Sequence, residues 1–129
     1  MIAIDSNIIV RYLTGDHAEQ AKRARALIES TDVFVATTVL LETEWVLRSV
    51  YGYPAVTLAK ALRGFAGLQQ VKLEDADLAA QALDWMEAGL DFADALHLAK
   101  AAGCEAFVSL DQRFARAANR LGTFKVRTP

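Results

Sequence analysis

The sequence predicts an α/β fold, in which helices cover a sheet of mostly parallel strands. Short apolar runs alternate along the chain with longer segments whose apolar residues recur at helical spacing. Capping and turn residues, chiefly Asp, Thr and Gly, stand between these segments. Because strands joined through helices pair in parallel, this alternation predicts an α/β sandwich.

The predicted strands are short apolar runs that end at a polar or turn residue. The first run ends at Asp5-Ser6-Asn7, a cap-rich stretch typical of a strand that passes directly into a helix. In parallel α/β folds the functional site lies beyond the carboxyl ends of the strands. The predicted strands cover residues 2–4, 33–36, 70–73, 106–110 and 124–126.

The predicted helices are amphipathic segments with recognisable starts and stops. In residues 17–30, for example, Ala21, Leu27 and Ile28 fall on one side and charged residues on the other. Pro54 fits the first turn of a helix, and Gly89 fits a helix end. The predicted helices cover residues 8–13, 17–30, 38–50, 54–65, 74–88, 91–103 and 111–120.

Length and composition indicate a single domain, covering residues 1–129, in a reducing cytoplasm. The chain has 129 residues, of which 53% are hydrophobic, and one cysteine, which excludes an internal disulfide. No signal peptide or membrane-spanning stretch is recognisable. The net charge of −2 argues against nucleic-acid binding by bulk electrostatics, although an enzyme that holds phosphates through metal ions remains compatible with it.

Several acidic residues are predicted to gather near one edge of the sheet. Asp5 and Asp111 directly follow predicted strands, while Asp91 and Asp94 open a predominantly apolar helix. Asp5, Asp91 and Asp111 could each act as a helix cap and nothing more. Asp94, however, has no Lys or Arg within one helical turn, and a buried carboxylate is costly unless it is paired or holds a metal.

Glu42 is a further acid that helical spacing leaves without an explanation. Its neighbours on the predicted helix include Val39, Trp45 and Val46, an apolar face without a basic partner. Glu44, by contrast, has Arg48 at the favourable i+4 position, which indicates an ordinary surface pair. The unexplained acid on this helix is therefore Glu42.

A cluster of Asp5, Glu42, Asp94 and Asp111 would need a cation to offset the mutual repulsion of its carboxylates. Oxygen-rich clusters of this kind suit Mg²⁺ or Mn²⁺, which retain waters and bridge to phosphate groups. Such ions can activate a water and stabilise a leaving oxygen. Metal-assisted phosphodiester hydrolysis is the reaction that the pattern favours.

Four motifs follow one another along essentially the whole chain. They are Asp5-Ser6-Asn7, Leu40-Leu41-Glu42, the stretch from Asp91 to Leu96, and the stretch from Ser109 to Phe114. Together they resemble a PIN domain, and more narrowly the VapC-type toxins of bacterial VapBC toxin–antitoxin pairs. The resemblance implies a three-layer α/β/α sandwich and a Mg²⁺- or Mn²⁺-dependent endoribonuclease. It also implies a homodimer held inactive by a cognate VapB-type antitoxin.

The resemblance also assigns roles to individual residues. It makes Asp5, Glu42, Asp94 and Asp111 the catalytic, metal-binding quartet and Asp91 an accessory acid. Asn7 and Ser109 match polar positions that would orient a carboxylate or a water. Arg11, Arg113 and Arg116 are candidate contacts to RNA phosphates, and an arginine of the antitoxin could occupy the acidic pocket.

Alternative functions remain open from the residues themselves. The acids could dock a basic peptide without any catalysis. An Asp-dependent phosphatase with Asp5 as nucleophile is disfavoured because Asn7 replaces the second Asp of the Asp-x-Asp pair that such enzymes use. A receiver-type signalling domain is weaker still, since its late basic residue has no clear counterpart in this chain.

Overall fold

The computed structural model describes residues 1–123 and 125–129. The chain divides into two compact units, a first unit of residues 1–76 and a second unit of residues 77–129. Each unit contains parallel strands and helices, which confirms the predicted α/β class. No helix of the described ranges is long and apolar enough to cross a membrane.

The first unit contains a parallel sheet whose strands lie in the order β1-β2-β3. In its register Ile2 lies opposite Val33, and Val33 lies opposite Val71. The elements of this unit are β1 (Ile2–Ala3), α1 (Ser6–Thr14), α2 (Ala18–Ser30), β2 (Val33–Val35), α3 (Thr37–Ser49), α4 (Ala55–Ala66) and β3 (Val71–Leu73).

The core of the first unit forms where α1 packs against α2 and α3, and α3 against α4. The largest fully buried side chains of this unit are Phe65, Ile9, Ile28, Leu47, Leu58 and Leu62. The apolar face predicted around Glu42 is not buried, since Trp45 is 54% exposed, and α3 instead buries the face of Leu40 and Leu47. Gly15 ends α1 with a φ of 71°, a backbone conformation that glycine adopts without steric cost. This packing fixes the start of α1, where the first acidic motif lies.

The second unit contains three helices and a pair of short parallel strands within its described residues. Asn119 joins α7 to β5, since its side-chain amide donates to the Val126 carbonyl at 2.7 Å and accepts from the Val126 N–H at 3.1 Å. The elements are α5 (Ala76–Glu87), α6 (Phe92–Lys100), β4 (Phe107–Val108), α7 (Gln112–Arg120) and β5 (Val126–Arg127).

The predicted strands and helices are present, with differences at their ends. The strand predicted at 106–110 is confined to Phe107–Val108, because only these residues pair with β5. The helix predicted to run to residue 103 ends at Lys100, where the chain turns. Of the strand predicted at 124–126, Phe124 lies outside the described residues, and β5 begins at Val126.

Candidate active site

In the first unit, Asp5 stands between β1 and α1 and caps the helix. Its backbone is extended, with φ −91° and ψ 167°, and its Oδ1 accepts a hydrogen bond from the Ser6 N–H at 2.8 Å. The carboxylate is therefore held at the helix N-terminus, where the helix dipole favours a negative charge. The residue itself is exposed, so this carboxylate can also reach a ligand.

Ser6 links the start of α1 to Glu42 on α3. The Ser6 hydroxyl, on a residue only 7% exposed, donates a short hydrogen bond to Oε1 of Glu42. Glu42 is exposed, so its carboxylate is fixed on one side and open on the other. This role of Ser6 was not predicted, because a serine directly after a capping Asp gives no indication of a distant partner.

Glu44 is buried, so the prediction that it forms an ordinary surface pair was wrong in part. The pair itself is present, with Arg48 Nε at 2.9 Å from Glu44 Oε2, but Glu44 is only 1% exposed. It shares the buried face of α3 with Leu40, Thr43 and Leu47, which recur at spacings of three and four residues. Arg48 reaches from the exposed side to neutralise it, as long basic side chains can. The spacing could be read from the sequence, but a charged residue is ordinarily expected at the surface, so the burial of Glu44 was not predicted.

In the second unit, Asp91, Asp94 and Asp111 line a single cavity of about 280 Å³, the acidic cavity. The capping role predicted for two of these acids is confirmed. Asp91 Oδ2 accepts from the Asp94 N–H at 3.2 Å at the start of α6, and Asp111 Oδ1 accepts from the Phe114 N–H at 3.0 Å at the start of α7. The two helix starts thus bring three of the predicted acids to one cavity.

Asp94 is destabilised in its ionised form. Burial raises the pKa of its carboxyl above the ordinary value of 3.8, and the negative charges of Asp91 and Asp111 raise it further, while His97 opposes them. Neither Asp94 nor Asp111 forms an ion pair with a basic side chain in the described part of the chain. A cation in this cavity would relieve the repulsion.

Of the other predicted site residues, two lie at the acidic cavity or next to its acids and the rest lie elsewhere. The Ser109 hydroxyl accepts a hydrogen bond from the Asp111 N–H at 3.0 Å and so fixes the backbone at the start of α7. Arg113 lines the acidic cavity, whereas Arg116 is exposed on α7 and does not line it. Asn7 and Arg11 lie on α1 in the first unit, where both line cavities.

The donor chemistry of the acidic cavity suits a hard divalent cation, although the ligands are not preassembled. Carboxylate oxygens are the donors that Mg²⁺ and Mn²⁺ prefer, and the repulsion around Asp94 favours a positive charge there. Among residues 1–123 and 125–129, no three His, Cys, Asp or Glu side chains form a group arranged to hold a metal ion. Mg²⁺ binds through one or two carboxylates and several waters, so the residues fit an ion held largely through water.

Comparison with known proteins places these features in a family. The family model of the PIN domain matches residues 2–120. A solved structure of VapC20 from Mycobacterium tuberculosis, described as a toxin that cleaves the sarcin-ricin loop, is 24% identical, with a TM-score of 0.45 over 91% of this chain and 95% of that chain. No curated protein matches the chain significantly. The family match confirms the predicted PIN fold class.

Proposed function

The chain belongs to the PIN-domain family, and from this premise we propose that it is a metal-dependent endoribonuclease that acts as the toxin of a VapBC-type toxin–antitoxin pair. The reaction is hydrolysis of an RNA phosphodiester bond. The observation that carries the proposal is the acidic cavity, where Asp91, Asp94 and Asp111 converge and the ionised form of Asp94 is disfavoured in the absence of a cation.

The proposed catalytic residues are Asp5, Glu42, Asp94 and Asp111, with Mg²⁺ or Mn²⁺ as the cofactor. When bound, such an ion would lower the pKa of a water and offset the charge that develops on the phosphate. The carboxylates of this chain would hold the ion and orient its waters. In the first unit the Ser6 hydroxyl restrains Glu42, and in the second unit the caps of α6 and α7 restrain Asp91 and Asp111.

The polar residues around the acids have supporting roles in this proposal. Ser109 holds the backbone that presents Asp111. Arg113, in the wall of the acidic cavity, is placed to contact a phosphate of the bound RNA. Asn7 and Arg11 would contact RNA along α1, and Arg116 would add charge on the exposed side of α7.

The proposed partners are a VapB-type antitoxin, the RNA substrate and a second copy of this chain. The acidic cavity suits the antitoxin, because a guanidinium forms paired hydrogen bonds with carboxylates and would compete with the cation. Adding antitoxin should therefore weaken Mn²⁺ binding measured by calorimetry. An unchanged Mn²⁺ affinity in the complex would contradict this mode of inhibition.

Incubation of the antitoxin-free protein with total cellular RNA tests the proposed activity. With Mn²⁺ present we expect discrete RNA fragments, and with EDTA in excess we expect intact RNA. If folded protein binds Mn²⁺ and RNA but leaves all RNA intact, the acids serve a binding role, such as docking a basic peptide. Cleavage that persists in EDTA would contradict the metal-dependent mechanism.

A further inference from the structure

We propose that a second cavity in the first unit binds an RNA phosphate outside the acidic residues, so that it positions the substrate. This cavity, the arginine cavity, has a volume of about 440 Å³. It is lined by Asn7, Ile8, Arg11, Gln20, Arg23, Ala24 and Leu27, from α1 and α2. The lining contains two guanidinium groups and no carboxylate.

Arg11 is held in place before any ligand arrives. Its Nε donates to Oε1 of Gln20 at 2.9 Å, and its Nη1 donates to the phenol oxygen of Tyr51 at 3.2 Å. That phenol in turn donates to Oδ2 of Asp16 at 2.8 Å. Because these hydrogen bonds restrain the guanidinium, it loses less conformational freedom when it binds an anion than a free arginine would.

Arg23 supplies a second positive charge on the same cavity from α2. It is exposed, and within the described residues it forms no ion pair with a carboxylate, whereas Arg11 interacts electrostatically with Asp16. Guanidinium groups match phosphate oxygens through paired hydrogen bonds, so two of them facing one cavity favour a phosphate. Ile8, Ala24 and Leu27 add an apolar surface against which a sugar or a base can pack.

The arginine cavity lies close in the chain to Asp5, one of the proposed catalytic residues. Asn7 lines it and lies two residues after Asp5, at the start of α1, while Arg11 follows about one helical turn later. A single-stranded RNA that passes Asp5 at the start of α1 would carry a neighbouring nucleotide along α1 into this cavity. The inference therefore rests on the proposed nuclease function and extends it by a substrate-positioning subsite.

Metal-free RNA binding tests this subsite without relying on cleavage. Fluorescence anisotropy with a labelled, mixed-sequence, single-stranded RNA in EDTA would compare wild type with Arg11→Gln and Arg23→Gln. Arg25→Gln is the matched control, since Arg25 is an exposed arginine of α2 that does not line the cavity. We expect each test variant to bind about tenfold more weakly at low salt. Each should also reduce the slope of log K against log salt by about 0.7, one phosphate contact.

Defined outcomes would overturn the subsite. If Arg23→Gln matches Arg25→Gln in both RNA affinity and salt slope, Arg23 contributes only diffuse charge and the subsite is refuted. Unfolding would not explain a loss of binding, since Arg23 forms no ion pair within residues 1–123 and 125–129. Displacement of the RNA by an oligoglutamate from wild type but not from Arg23→Gln would assign the cavity to an acidic peptide. Metal-dependent cleavage alongside either result would leave the nuclease function intact and refute the subsite alone.

Discussion

At the scale of single residues, Asp94 combines a structural cost with the proposed chemical role. Its folded pKa is raised, mainly by burial, so the folded chain binds this proton more tightly than the unfolded chain does. Stability therefore falls as the pH rises from about 3.8 through the raised pKa, and the full penalty is present above that pKa. A functional carboxylate retained at such a cost is typical of active sites.

We expect Asp94→Asn to raise the melting temperature at neutral pH while abolishing cleavage. The gain in the free energy of unfolding should stay below about 1 kcal/mol, because solvent screens this partly exposed carboxyl. Thermal unfolding of both proteins across the acid range would show the advantage vanish below pH 3.8. A neutral-pH melting temperature lower than that of wild type would contradict the penalty.

Ser6 is the second residue for which the structure gives a specific expectation. Ser6→Ala removes the hydroxyl that donates to Glu42, so the carboxylate loses its restraint. We expect the stability to fall by about 1 kcal/mol and kcat to fall more strongly than the affinity for RNA. Ser6→Thr, which restores a hydroxyl, should recover most of both losses. Equal activity of the Ala and Thr variants would show that the hydrogen bond does not support the reaction.

At the scale of elements, substitutions at the N-cap of α7 can distinguish a role in helix stability from a role in catalysis. Asn caps a helix about as well as Asp but carries no charge. Asp111→Asn should therefore keep the stability of α7 and lose activity, whereas Asp111→Ala should lose activity and about 1 kcal/mol of stability as well. Chemical denaturation and RNA cleavage would be measured on both. Full activity in Asp111→Asn would show that Asp111 only caps α7 and takes no part in catalysis.

The Glu44–Arg48 pair on α3, in which only Glu44 is buried, allows a test of the burial of Glu44. Arg48→Met leaves the Glu44 carboxylate buried without this partner and should destabilise the chain by about 2 kcal/mol, less than a fully buried pair because Arg48 is 46% exposed. Replacing both residues by Met should recover most of the loss. Urea denaturation would measure these changes. A single variant as stable as wild type would contradict the burial of Glu44.

The same element shows what sequence could and could not predict. The existence of α3 and the Glu44–Arg48 pair followed from spacing alone. Which of the two glutamates is buried depended on how α3 packs against α1 and α4, a tertiary property that local periodicity conveys only in part. Ser6 was missed for the same reason, since its partner lies 36 residues away in the chain.

At the scale of the whole molecule, the alternation of strands and helices was sufficient to predict the α/β class. The PIN family followed from the acidic motifs, and the family match confirms it over residues 2–120. The strand ends were less predictable, because apolar runs such as 106–110 extend beyond the residues that actually pair. In the second unit Asp91 and Asp111 cap helices, as predicted, and both line one cavity.

RNA cleavage by a matched pair of charge-removing variants tests the central claim most directly. Asp94→Asn and Asp77→Asn remove the same charge, but Asp77 is exposed on α5 and lies outside the acidic cavity. With Mn²⁺ and total RNA, wild type and Asp77→Asn should give the same discrete fragments, and Asp94→Asn should give none while remaining folded. Undiminished cleavage by folded Asp94→Asn would contradict the account of this protein as a nuclease that works through its acidic cavity.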